Sequence, residues 1–145
     1  MGYVIQPQMA TSRFFSLGLA TFVFSLLAFS PNREVESEYR LILFEGSDWC
    51  VNCIRLEKNV LSNAAFITYA EKNGISIERI DFPQRKQLDE TTQQYNAEMA
   101  EKYNFQGIFP TLILEKTNTK EIQTLEYLDQ SCSDFIAQLS SNINP

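Results

Sequence analysis

Cys50 and Cys53 stand three residues apart in the stretch Gly46-Ser47-Asp48-Trp49-Cys50-Val51-Asn52-Cys53. On one helical turn, thiols at that spacing can close a disulfide with each other, so a dithiol that cycles is the chemistry on offer. The attacking species in such a cycle is the thiolate. It is favoured over the thiol where unsatisfied backbone N–H groups and the positive end of a helix dipole face the sulfur. The flanking elements supply that setting. Leu41-Ile42-Leu43-Phe44 is apolar without alternation, as in a strand covered on both faces, and from Cys50 to Leu61 the chain lacks glycine and proline and reads as a helix. The two cysteines are therefore expected on the first turn of a helix that follows a buried strand.

Composition narrows the chemistry further. A chain of 145 residues with 44% hydrophobic content holds one ordinary domain with a real core, plus a short extra segment. The formal charge is -6, and no basic stripe offers itself to nucleic acid. Histidine is absent, which removes Cys/His zinc sites, a Cys–His nucleophile and a histidine base. Three cysteines are too few for a disulfide scaffold, so a pair plus the single Cys132 reads as a redox or metal motif with a spare.

Ahead of the domain, Phe14 to Ser30 form an uncharged run of 17 residues rich in Phe, Leu and Ala, with Arg13 before it and the first acidic residue, Glu34, after it. At about 1.5 Å per residue a helix of that length spans ~25 Å, slightly less than a ~30 Å hydrocarbon core. Residues 1–30 are thus read as a signal peptide or a membrane anchor, with the N-terminus in the cytoplasm and the remainder exported. Ala28-Phe29-Ser30 has the small-x-small form of a cleavage site, whereas the following Pro31 favours retention. Met9 offers an alternative start. Residues 31–38 (PNREVESE) read as a polar linker, and 39–145 as the folded domain.

Within the domain, Ala64 to Lys72 reads as a helix that ends at Asn73-Gly74, and Ile75 to Phe82 as a strand stopped by Pro83. Leu88, Thr92, Tyr95, Met99 and Tyr103 line one face of a longer helix. Thr111 to Leu114 is a second apolar strand, joined through Thr117-Asn118-Thr119-Lys120 to a partner strand from Glu121 to Leu128. Ser131 is placed to cap a last helix. The expected order is β-α-α-β-α-β-β-α.

Trp49-Cys50-Val51-Asn52-Cys53 after an apolar strand, with Phe109-Pro110-Thr111 opening a later strand, resembles the thioredoxin superfamily. The resemblance covers roughly residues 39–142. Gly-Ser-Asp-Trp-Cys, Asp81-Phe82-Pro83 and the segment around Phe109-Pro110-Thr111 are similar to exported thioredoxin-like proteins of bacteria, and also to the thioredoxin-like domain of membrane electron carriers. It implies an α/β, thioredoxin-like fold: a central mixed sheet flanked by helices, here preceded by an N-terminal hydrophobic helix. The implied activity is thiol–disulfide exchange outside the cytoplasm, in the reductase direction, without a cofactor or a metal. Partners would be protein thiols and disulfides and a membrane or periplasmic electron donor. The location would be the periplasm, soluble or anchored to the inner membrane through residues 14–30.

Residue by residue, the resemblance makes Cys50 the exposed nucleophile and Cys53 the buried thiol that resolves the mixed disulfide. Pro110 would follow a cis bond against the cysteines, and Trp49, Phe109, Pro110 and Thr111 would contact substrate. One position departs from the pattern. Thioredoxins usually place a buried Asp six residues before the first cysteine, where this chain has Phe44. Glu45, on the opposite strand face by alternation, and Asp48, near the thiols, are the candidates to accept the Cys53 proton in its place. The dipeptide Val51-Asn52 also differs from thioredoxin's Gly-Pro, so the reduction potential cannot be borrowed.

Plainer roles stay open for these residues. The cysteines could form a structural disulfide, Trp49 could be core, and Glu45 and Asp48 solvated carboxylates. Cys132 could be a small buried apolar residue. Two other functions also stand: a soft-metal carrier holding Cu(I) on two thiolates, and a thioredoxin-like binding domain with an idle dithiol.

Overall fold

A computed structural model describes residues 37–143; the segment 1–36, with the expected hydrophobic helix and most of the linker, and residues 144–145 lie outside the described residues. β1 (Tyr39–Glu45) leads into α1 (Val51–Leu56), which a π-helical turn (Glu57–Leu61) prolongs. Next come α2 (Ala64–Lys72), β2 (Ile75–Asp81), α3 (Glu90–Lys102), β3 (Thr111–Lys116), β4 (Ile122–Leu125) and α4 (Cys132–Ile143). The order of elements is the expected one. The strands lie as β2-β1-β3-β4, with β2 parallel to β1, and β3 antiparallel to both β1 and β4. This is a mixed four-stranded sheet flanked by helices.

β1 lacks alternation because both faces of the sheet are covered. Leu41 and Leu43 join Leu56, Val60, Phe66, Phe135 and Leu139 on one face, while Ile42 and Phe44 join Ile80, Met99, Tyr103 and Ile113 on the other. All four residues from Leu41 to Phe44 are fully buried. At roughly 1.5–3 kcal/mol for each such side chain, this strand is a main contributor to the core. Glu45 closes β1, so the loop that leads to Cys50 leaves from the end of a deeply buried strand.

Local capping sets the helix bounds. Asn63 Oδ1 accepts from the Ala65 N–H at 2.9 Å, Asp89 Oδ1 from Thr92 at 2.9 Å and Ser131 Oγ from Asp134 at 3.2 Å. Gly74, with φ of 59°, ends α2 in the left-handed conformation and accepts the Tyr39 N–H on its carbonyl. The last linker residues are tied to the sheet: the Ser37 and Glu38 carbonyls accept from Thr117 Oγ1 at 2.6 Å and Thr117 N at 3.0 Å.

Two details differ from the sequence reading. The buried face of α3 carries Asn96, Met99 and Tyr103, while Tyr95 is 44% exposed. The Asn96 amide can be buried because its Nδ2 donates to the Asp81 carbonyl at 2.7 Å. β4 stops at Leu125 rather than Leu128; it is an edge strand with only Leu125 buried, and the chain then turns through Asp129 at φ of 60°.

A charge is buried on β3. Glu115 of β3 is buried, accepting from Arg40 Nη2 and from the Tyr103 hydroxyl, each at 2.6 Å. Burial alone would raise its pKa, but the Tyr103 and Arg40 bonds outweigh that and hold it down at about 2.

Candidate active site

Because β1 and β2 run parallel, both chains leave the sheet at the same end, and the loop after β1 can be fastened to the loop after β2. Gly46 starts the turn, its carbonyl accepting the N–H groups of Trp49 at 3.2 Å and Cys50 at 2.8 Å. Ser47 donates its N–H and its hydroxyl to the two oxygens of Asp81 at 2.9 and 2.7 Å. The Trp49 indole N–H donates to the Phe82 carbonyl at 2.8 Å. These bonds fix the loop that presents Cys50.

Cys50 and Cys53 are joined as a disulfide, with their Cα atoms 5.2 Å apart. Cys50 occupies the N-cap of α1, and its sulfur accepts the Cys53 N–H at 3.2 Å. In the reduced protein the same N–H would face a Cys50 thiolate and favour it. Cys53 is 1% exposed and Cys50 6%, so the oxidised Cys50 is the more open of the two but far from an exposed thiol.

The residues expected to contact substrate gather at this end of the sheet. Thr111 opens β3 opposite Phe44 of β1, and the Phe109–Pro110 bond before it is cis, as the resemblance implies. Phe109 packs edge-on to Trp49, ring centres 5.3 Å apart, and to Phe105 at 5.0 Å. Phe105 in turn stacks on Phe44 at 4.4 Å. Trp49 is therefore a half-buried member of an aromatic cluster. The Thr111 hydroxyl donates to the Ile108 carbonyl at 2.7 Å and shapes the turn before the cis bond.

The two candidate carboxylates part company. Asp48 Oδ1 and Oδ2 accept the backbone N–H groups of Gln84 and Arg85 at 2.9 and 2.8 Å. Those bonds hold its pKa below the usual carboxylate range and fasten the loop to the segment after β2. Glu45 is not the solvated surface carboxylate that its plainer reading describes. It is 4% exposed and shares a cleft of about 220 Å³ with Cys53, Ile54, Glu57, Lys58 and Arg79. Burial pushes its pKa up, partly offset by Arg79, whose Nη1 lies 3.1 Å from Glu45 Oε1. Alternation separates these neighbours: Phe44 turns into the α3 face, while Glu45 falls on the α1 face, with Cys53.

Two residues of this cleft escaped the sequence reading. Glu57 lies four residues after Cys53, a spacing that puts both on one helical face and was legible. Arg79, which bridges Glu45 and Glu57, was not. Its place depends on the pairing of Leu43 with Arg79 across β1 and β2.

No protein-family model matches the chain. The disulfide bond reductase DsbH of Chlamydia pneumoniae is 27% identical to it over 100 residues, which are 69% of this chain and 59% of that relative. The match thus spans less than two thirds of the relative's length. A solved structure of a DsbH oxidoreductase is similar at a TM-score of 0.66, with 24% identity over 74% of this chain and 73% of that one. A thioredoxin from Thermus thermophilus is similar at a TM-score of 0.51, with 15% identity over 74% of this chain and 75% of its own. The two structural likenesses speak for the fold.

Proposed function

We propose that this chain is a member of the thioredoxin superfamily and a thiol–disulfide oxidoreductase that acts outside the cytoplasm and reduces protein disulfides. The observation that carries the reading is the Cys50–Cys53 pair at the start of α1, with the Cys53 N–H on the Cys50 sulfur. Cys50 attacks a substrate disulfide and Cys53 resolves the mixed disulfide. Glu45, buried in the same cleft as Cys53, accepts the Cys53 proton. Trp49, Phe109, Pro110 and Thr111 form the wall against which an extended segment of substrate lies, and the exposed side chains of Val51, Ile54 and Ile108 add apolar surface.

The reductase direction rests on the likeness to a disulfide bond reductase. Export rests on the apolar run of residues 14–30 behind Arg13. In that compartment a dithiol donor, membrane-bound or periplasmic, returns electrons to the pair. The test is the equilibrium reduction potential of Cys50–Cys53 in the full chain in mild detergent, with Cys132→Ser to remove the third thiol. A value near the ~-270 mV of thioredoxin supports the reductase, and one near the ~-120 mV of the strongest periplasmic oxidant reverses the direction. Failure of the pair to oxidise at any poise would overturn the oxidoreductase reading altogether.

A further inference from the structure

We propose that Arg79 is a positioning residue for exchange at Cys53: by bridging Glu45 and Glu57 it holds the Glu45 carboxylate charged in the cleft shared with Cys53. The inference rests on the reading of Glu45 as proton acceptor. A carboxylate buried at the end of β1 has lost most of its hydration, and without a compensating cation it would take a proton. A protonated carboxyl cannot accept another from Cys53. Among the described residues, Arg79 is the cation paired with Glu45.

The bridge has the geometry that a guanidinium suits. Nη1 meets Glu45 at 3.1 Å, and Nη2 meets Glu57, which the Ser62 hydroxyl also engages. Three elements are thereby fixed around one planar group. Of the other charges around Glu45, Asp81 and Glu57 oppose its ionisation, while Lys58 lines the cleft without pairing to it. Asp81 is itself occupied by Ser47 and by Lys86 at 3.0 Å. Arg79 is therefore the cation that works against the burial of Glu45 and favours its charged form.

The step balances as follows in a mixed disulfide at Cys50. Cys53 gives its proton to Glu45 and attacks the Cys50 sulfur. The Cys50–Cys53 bond forms and the bond from Cys50 to the substrate sulfur breaks. That sulfur leaves as a thiolate, which is protonated from water, and the dithiol has passed two electrons to the substrate. Glu45 then releases its proton through the cleft mouth, where the side chains of Arg79 and Glu57 are each 41% exposed.

The test uses the reduced full chain carrying Cys132→Ser, in detergent, mixed with an aromatic disulfide whose released thiolate is coloured. The first release reports attack by Cys50 and the second reports closure by Cys53, so the second phase is followed against pH. Arg79→Gln should move the midpoint of that phase up by about one unit, a ~10-fold slowing below it, and Arg79→Lys should restore most of the shift. Arg79→Met is the second neutral variant should the Gln variant not fold. An unchanged midpoint in the neutral variants, beside a displaced one in Glu45→Gln, would overturn the role of Arg79 alone. If Glu45→Gln also leaves the profile in place, the proton-acceptor reading falls and takes this inference with it.

Discussion

Gly46 lies directly against the Trp49 indole: a β-carbon on residue 46 would come within 2.4 Å of the ring atoms Cε2 and Nε1. No side-chain atom sits that close to an aromatic ring without displacing it. Gly46→Ala is therefore expected to push Trp49 from its place and break its hydrogen bond to the Phe82 carbonyl. The loss should be about 1–3 kcal/mol, the usual cost of overpacking. Since Trp49 is the chain's only tryptophan, its emission reports the displacement, and a urea transition reports the stability. Unchanged emission would show that the loop absorbs the methyl group elsewhere.

The asymmetry of the dithiol leads to a second expectation. With Cys53 more deeply buried than Cys50, Cys53→Ser should leave Cys50 able to attack but unable to be released. That variant should accumulate a mixed disulfide with a substrate protein, seen as a reducible adduct by mass spectrometry, and lose turnover. Cys50→Ser should lose turnover without forming an adduct at Cys53. Adducts of equal yield in both variants would show that the two thiols are equally accessible.

Acid should weaken the fold through Glu115. Its folded pKa of about 2 lies below the ordinary carboxylate value of 4.5, so its contribution is fully present above about pH 4.5 and is lost as the pH falls toward 2. Glu115→Gln keeps the shape but removes the charge that faces Arg40, Lys102 and Lys120. The variant should be less stable at pH 7 by about 1.5–3 kcal/mol, with a flatter loss of stability between pH 5 and 2. Denaturant titrations across that range measure both quantities. Parallel acid profiles for the two proteins would remove Glu115 from the account.

Much of the fold was legible because it depends on patterns within one element. The unbroken apolar run Leu41-Ile42-Leu43-Phe44 read as a strand buried on both faces, and it is one. Asn73-Gly74 marked the end of α2, and Ser131 the start of α4, through local hydrogen bonds that need no tertiary partner. The stripe on α3 was less secure. Tyr95 is the more apolar residue, but Asn96 is the buried one, because a backbone carbonyl on β2 was there to receive its amide.

The same division holds at the site. Residue types and spacing alone singled out Cys50 and Cys53, since the chemistry of a Cys-x-x-Cys at a strand-to-helix junction is a property of one short stretch. The resemblance to thioredoxins, with Phe44 where they carry a buried Asp, added Glu45 and Asp48 as candidate proton acceptors. Only the tertiary structure separated those two. The backbone of residues 84–85 takes both oxygens of Asp48, whereas the pairing of β1 with β2 and the packing of α1 enclose Glu45 with Cys53, Glu57 and Arg79. Glu45, Cys53 and Glu57 lie close together in the chain, but Arg79 reaches them from β2, brought alongside by its pairing with β1. Whether a carboxylate loses its water and which cation it meets there depend on long-range packing, which no local pattern encodes.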